Sequence, residues 1–207
     1  MIRSARKLIT TTRVIPVITI DDATNAVPLA RALVAGGLGT LEVTLRTPTA
    51  LDAISSIAAD VPDATVGAGT IRSAQQMRDA VAAGAQFLVA PGCTRHLLEA
   101  AADTALPFLP GVATASEVME LSANGVDAMK LFPAQAVGGA AAARALGAPF
   151  PEVALCPTGG IDVSNAGEYL RLPNVSCVGG SWMLSSASIA SGDWALVERA
   201  AAEASRL

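Results

Sequence analysis

The 207-residue chain has one histidine, His96, and two lysines, Lys7 and Lys130, against twelve arginines. One histidine leaves no HxH or HExxH pattern, and no acidic cluster replaces it, so no metal is expected; no cofactor is expected either. Charged residues make up only 15% and the net charge is −4, which argues against a nucleic-acid or anionic-membrane surface. Cys93, Cys156 and Cys177 are widely spaced and form no CxxC, so they read as small buried hydrophobes of a reduced, cytoplasmic protein. The longest charge-free run, between Arg171 and Asp193, is broken by Pro173, Asn174, Gly179, Gly180 and several serines, and is no membrane span. The first twenty residues lack acids and carry Arg3, Arg6, Lys7 and Arg13. No apolar core with a cleavage site follows, so a short N-terminal helix is expected there instead of a transit peptide.

Aromatic residues are 3% of a chain that is 52% hydrophobic, so the apolar content is mostly small, which suits close packing of helices on a sheet. From Val14 onward short β-branched runs alternate with alanine-rich ones. The strand-like runs are 14–20, 39–45, 64–69, 86–91, 107–111, 127–133, 153–160 and 175–180. Helical stretches lie between them at 23–35, 49–60, 74–83, 95–104, 115–124, 136–146, 165–171 and 194–206. Many carry start signals, such as Asp22, Ser73, Thr94, Thr114 and Asp193. Gly36-Gly37, Gly84 and Gly125 fall where C-terminal caps belong. Eight alternating units imply right-handed βαβ crossovers and a parallel sheet. The fold class expected is α/β, a single (β/α)8 TIM barrel over residues 1–207 with a short N-terminal helix. An open doubly wound sheet is the alternative, but no GxGxxG follows the first strand.

Lys130 is the residue that this pattern does not explain. It stands among Val126, Ala128, Met129, Leu131 and Phe132, with Pro133 closing the run, in what reads as a short buried strand. An ammonium taken out of water without a partner is driven toward the neutral amine, and a neutral lysine is a nucleophile that condenses with carbonyls. Two structural readings compete: the side chain snorkels out at the strand end, or it pairs with Asp127 or Glu42. In the run 39–45, Leu41, Val43 and Leu45 alternate with Thr40, Glu42 and Thr44, which turns Glu42 toward the interior if the odd positions face helices. Glu42 is then the candidate proton shuttle beside Lys130, or a structural ion-pair partner of Lys130 or Arg46.

Arg46, at the rim, suits a substrate carboxylate, and Thr70 and Thr158 offer hydroxyls at strand ends. Gly159-Gly160 and Gly179-Gly180-Ser181 follow strands seven and eight, where barrels commonly hold phosphate through backbone N–H groups. Phe132 lies on the same face as Lys130, to pack on the reacting carbonyl or to fill the core. His96 reads as solvated, and Trp182 and Trp194 as packing residues. A sugar-phosphate isomerase or decarboxylase would keep Glu42 and the phosphate site without needing a nucleophilic lysine. A non-catalytic phosphosugar-binding barrel, the third reading, would bind saturably without turnover and would need no nucleophilic lysine.

The segments Gly37-Leu-Gly-Thr-Leu-Glu-Val-Thr-Leu-Arg46 and Gly125 to Gly138, with its core Lys130-Leu-Phe-Pro-Ala134, resemble the two signatures of the KDPG and KHG aldolase family. VIPVI, LVAGG, GAGT, AQFLVAPG, PTGGI and VGGSW resemble further family segments in the same order, over nearly the whole chain. The resemblance implies a homotrimeric barrel and a class I aldolase of the Entner-Doudoroff pathway. Its substrate would be 2-keto-3-deoxy-6-phosphogluconate, a phosphorylated 2-keto-3-deoxy sugar acid, with 4-hydroxy-2-oxoglutarate as a second one. It further implies Lys130 as the Schiff-base residue and Glu42 as general acid/base, with Arg46, Thr70 and Thr158 around the pyruvate-derived part. Pro91 and Phe132 would line the pocket, and Gly159, Gly160 and Ser181 would receive the phosphate. Leu131 and Gln135 depart from the family pattern, which has phenylalanine and glutamate there.

Overall fold

The computed structural model describes residues 2–207. A short strand β1 (Arg3–Ser4) and helix α1 (Arg6–Thr10) precede β2 (Val14–Ile18), a 3-10 turn at Ala23–Asn25 and α2 (Ala26–Ala35). Then follow β3 (Thr40–Thr44), α3 (Ala50–Asp60), β4 (Thr65–Gly69), α4 (Ala74–Ala82), β5 (Leu88–Val89), α5 (Arg95–Thr104), β6 (Pro107–Leu109) and β7 (Gly111–Val112). The C-terminal half adds α6 (Ala115–Ala123), β8 (Ala128–Leu131), α7 (Gly139–Gly147), β9 (Ala154–Leu155), α8 (Ala166–Leu170), β10 (Val178–Gly180), α9 (Ser186–Ser191) and α10 (Trp194–Ala204).

The strands form a curled, all-parallel α/β arrangement. A seven-stranded sheet runs β1-β6-β5-β4-β3-β2-β10 and a three-stranded sheet runs β7-β8-β9. Only Pro110 separates β6 from β7, and Lys130 donates its backbone N–H to the Pro110 carbonyl at 2.8 Å. Single parallel bridges, Leu155 to Val175 and Thr158 to Gly179, link the β9 segment to the chain entering β10.

Side-chain alternation gives two cores. Leu41, Val43, Val66, Leu88, Phe108, Met129, Leu131 and Val178 belong to the layer between sheet and helices, with Leu29, Leu33, Ile54 and Ile57 from the helices. Burial of each such large side chain contributes about 1.5–3 kcal/mol. Their strand neighbours Ile15, Phe87, Val89, Leu109, Ala128, Ala154, Cys156 and Cys177 pack together on the concave side, joining both sheets in one cluster. Ala5, just before α1, and Ile9 within it belong to that second cluster, so the N-terminal helix caps the interior.

Several boundaries are shorter than the sequence suggests. Residues 153–160 give only the two-residue β9, because Pro157 has no N–H to donate to a ladder and Gly159 and Gly160 take φ of +99° and +73°. The helix expected from 136 starts at Gly139, after Gly138 at φ +114°. The stretch 23–35 divides into the 3-10 turn, capped by Asp22, and α2. The residue before α8 is Asn165, whose side chain makes no cap to that helix. Ser73, Thr94, Thr114 and Asp193 do cap their helices, and Thr114 and Glu117 complete a capping box. Helix α9, inside the charge-free run, was not anticipated.

Candidate active site

Two strands bring the buried charges together. Glu42 projects from the middle of β3 and Lys130 from β8, and they are only 3% and 5% exposed. Lys130 Nζ donates to both carboxylate oxygens, at 3.0 Å to Oε1 and 3.2 Å to Oε2. The sequence allowed Asp127 as the alternative partner, but Asp127 is held elsewhere: Arg6 Nε lies 2.9 Å from its Oδ2, and the Ser4 hydroxyl bonds the other oxygen. Burial works to raise the Asp127 pKa, yet the hydrogen bonds from Ser4 and Arg6 and the guanidinium charge outweigh it and leave the carboxyl below its usual range. Lys130 therefore does not snorkel, and its counter-charge comes from the opposite side of the interior.

Backbone without side chains makes room for this pair. A Cβ on Gly69, the last residue of β4, would lie 2.5 Å from Glu42 Cγ and overlap the carboxylate. On Gly179 it would overlap the hydroxyl of Thr158. Thr158 is itself buried, with Oγ1 3.4 Å from the Cys156 carbonyl. Burial holds the Cys177 thiol well above its usual range, and the adjoining Cys156 and Glu42 push it the same way. Burial and the Glu120 charge likewise raise Cys93 to about 11, so the thiols behave as apolar filling.

The remaining expected residues ring this centre unevenly. The Phe132 ring centroid is 5.6 Å from Lys130 Nζ, within cation–π range. Thr70, directly after β4, adopts a left-handed φ of +60°, a conformation that costs a non-glycine residue about 1 kcal/mol and concentrates at functional sites. Pro91 is partly exposed, and its carbonyl packs so close to Gly111 that no Cβ fits there. Arg46 and Ser181 are exposed, and both line a cavity of about 470 Å³ with Thr19, Asp21 and Asn25, at the C-terminal ends of β2, β3 and β10. Lys130 and Glu42 are not part of that cavity's lining. His96 is exposed.

Gly159 and Gly160 form a turn whose carbonyl side is fully engaged. Ala134 N–H donates to the Thr158 carbonyl at 2.8 Å, Gln135 N–H to Gly159 at 3.0 Å, and Asn165 Nδ2 to Gly160 at 2.9 Å. A trans peptide points its N–H opposite to its C=O, so the N–H groups of Gly160 and Ile161 face away from those donors. Successive backbone N–H groups left free in a glycine turn are the kind of donors that make an anion-binding concavity.

A primary amine and a carboxylate in contact, both withdrawn from water, can condense with a ketone and move the protons that condensation requires. Comparison with known proteins gives that chemistry a lineage. Residues 5–200 match the family profile described as KDPG and KHG aldolase.

The chain belongs to the KDPG and KHG aldolase family. It is 50% identical over 192 residues to the 2-dehydro-3-deoxy-phosphogluconate aldolase of Pseudomonas aeruginosa, covering 93% of this chain and 87% of that one. It is 47% identical over 201 residues to the KHG/KDPG aldolase of Escherichia coli K12, covering 97% and 94%. Among solved structures, the KDPG aldolase of Legionella pneumophila superposes with a TM-score of 0.95 at 45% identity, over 98% of both chains. That protein was captured with pyruvate as a covalent carbinolamine intermediate.

Sequence reasoning missed the residues that shape the site without entering it. Gly69 and Gly179 had a signal, since a glycine inside a strand marks a close approach, but Gly179 was read only as part of a phosphate-holding turn. Gln135 stood out only as a departure from the family pattern, because its partners Gly159 and Tyr169 lie in distant segments, whereas Asn165 bonds Gly160 only five residues away and was overlooked as a local turn residue.

Proposed function

We propose that this chain is a class I lyase that cleaves 2-dehydro-3-deoxy-6-phosphogluconate to pyruvate and D-glyceraldehyde 3-phosphate, with 4-hydroxy-2-oxoglutarate, which gives pyruvate and glyoxylate, as a second substrate. The observation that carries the proposal is the buried contact between Lys130 Nζ and the Glu42 carboxylate, 3.0 Å across the interior. Lys130 passes a proton to Glu42 and attacks the C2 ketone, forming a carbinolamine. Glu42 returns that proton to the departing hydroxyl, and water leaves to give the iminium. The C4 hydroxyl then gives its proton to the Glu42 carboxylate, directly or through a water, the C3–C4 bond breaks to release the aldehyde, and its electron pair flows into the iminium nitrogen. Protonation of the enamine at C3, through Glu42 or a water, and hydrolysis release pyruvate and restore Lys130.

In this reading Arg46 pairs with the substrate carboxylate as a planar, permanent cation. Thr70 and Thr158 hydrogen-bond the pyruvate-derived part, and Pro91 and Phe132 border it. Gly159, Gly160 and Ser181 receive the phosphate, which the engaged carbonyls of that turn support. The bridge between Thr158 and Gly179 supports closing the two sheets into one eight-stranded (β/α)8 barrel, a single domain over 1–207. Among the described residues no helix is long and apolar enough to cross a membrane. A cytoplasmic homotrimer completes the proposal, resting on the family resemblance.

Release of pyruvate from each substrate, followed through lactate dehydrogenase, tests the reaction. Lys130→Arg keeps the charge and cannot form an imine, so turnover should vanish. Turnover by that variant would refute the mechanism.

A further inference from the structure

The chain's one tyrosine is spent on a hydrogen bond that the reaction does not use. Tyr169 is 1% exposed, and its hydroxyl donates to Gln135 Oε1 at 2.8 Å. Burial, with the nearby Glu168 charge, raises the pKa of this phenol, so it remains a donor at neutral pH. Gln135 in turn grips the Gly159-Gly160 turn from behind. Its backbone N–H donates to the Gly159 carbonyl at 3.0 Å, and a Cβ on Gly160 would lie 2.6 Å from the Gln135 Cβ. The element that carries Tyr169 is tied to the same turn at its other end, where Asn165 Nδ2 donates to the Gly160 carbonyl and Asn165 Oδ1 accepts from Asp162 N–H at 3.0 Å. The turn is therefore held between two clamps that meet through a single side-chain hydrogen bond.

We propose that Gln135 and Tyr169 are positioning residues for the phosphate of the substrate: their hydrogen bond fixes the Thr158–Ile161 turn with its N–H groups presented to the anion. Neither residue touches the reacting atoms. Their effect is selective, because a phosphorylated acid uses the turn and 4-hydroxy-2-oxoglutarate does not. The inference rests on the aldolase reading and on the phosphate assignment within it. Its geometry has a particular reason: two adjacent glycines at positive φ hold their shape only through neighbours, since glycine has the widest conformational freedom of any residue. Gly139, also at positive φ, lies beside the bond: a Cβ there would stand 3.3 Å from Gln135 Oε1, a slightly tight contact, and 3.5 Å from the Tyr169 hydroxyl, an ordinary one.

The test compares KM and kcat for the phosphorylated and unphosphorylated acids in the wild type and in Tyr169→Phe, Gln135→Leu, their double variant and Gln135→Glu. Loss of one hydrogen bond that orders the turn should raise KM for the phosphorylated acid by about five- to tenfold. The kcat and both constants for 4-hydroxy-2-oxoglutarate should stay within about twofold. The double variant should be no worse than either single one, since both remove the same bond. Gln135→Glu keeps an acceptor of the same length, so it should restore the wild-type KM. Equal losses on both substrates, or no rise in KM, would overturn the proposal and make the bond purely structural. Borohydride trapping of pyruvate on the wild type is run beside it. A chain that traps pyruvate without favouring the phosphorylated acid overturns the phosphate assignment, whereas a chain that traps nothing overturns the aldolase reading.

Discussion

Gly69 and Gly67 occupy alternate positions of β4, and exchanging each for alanine separates catalysis from packing. A Cβ at 69 overlaps the Glu42 carboxylate and forces it away from Lys130, whereas a Cβ at 67 meets the Phe87 ring at 2.5–2.6 Å and leaves Glu42 alone. Neither glycine has a positive φ, so alanine brings no backbone penalty at either site. Overpacking of this kind costs about 1–3 kcal/mol, and the two variants should be destabilised comparably on that account. Gly69→Ala adds a second loss, because separating a buried ion pair leaves charges uncompensated at a cost of about 3–5 kcal/mol unless the pair re-forms. With the proton shuttle displaced, kcat should fall by about 10²–10³-fold, within the range that general acid–base catalysis supplies. Gly67→Ala should retain kcat within about threefold per folded molecule, an allowance for small shifts of a tightly packed interior. Urea melts followed by steady-state assay at a temperature where both variants are folded give the two quantities. A Gly69→Ala enzyme with wild-type kcat would refute the claim that Glu42 must sit against Lys130.

Three further outcomes follow from the site. Glu42→Gln should lower kcat by about 10²–10⁴-fold and destabilise the fold by about 3–5 kcal/mol, since Lys130 loses its counter-charge; stopped-flow turnover and a denaturant melt check both. Asp127, whose folded-state pKa is lowered, contributes stability that is complete above its unfolded value of about 4 and disappears as pH falls through the folded one. Melts of wild type and Asp127→Asn should therefore differ at pH 7 and converge in strong acid; a constant gap across that range would contradict the assignment. The native chain should react slowly with a thiol reagent at pH 8, where a Cys93 pKa of about 11 leaves roughly one thiolate in a thousand. Denaturant should expose all three cysteines, and rapid native labelling at pH 8 would contradict this.

The legible parts of the fold are those written in local pattern. Alternation in 39–45 placed Glu42 inside with Leu41 and Val43 outside, and Ser73, Thr94 and Thr114 marked helix starts because their hydroxyls satisfy the first free N–H groups. Lys130 was conspicuous because an ammonium in an apolar strand demands a partner. Which acid answered was not legible. Asp127 is three residues away and Glu42 is 88 away, and the choice depends on Arg6 capturing Asp127 from the N-terminal helix. The same limit hid Tyr169, whose bond to Gln135 spans 34 residues of chain. Strand ends also escaped, because Pro110 and Pro157 interrupt ladders that the β-branched pattern would otherwise continue.

The central claim, that Lys130 forms an imine with the substrate ketone, is tested most directly by incubating the chain with pyruvate and borohydride, then measuring intact mass and mapping peptides. Reduction fixes any imine as a stable amine, and only Lys7, Lys130 and the chain's amino terminus can carry one. The account predicts one reduced pyruvate per chain, on Lys130, and none in Lys130→Arg. An unmodified Lys130, or label confined to Lys7 or the terminus, would contradict it.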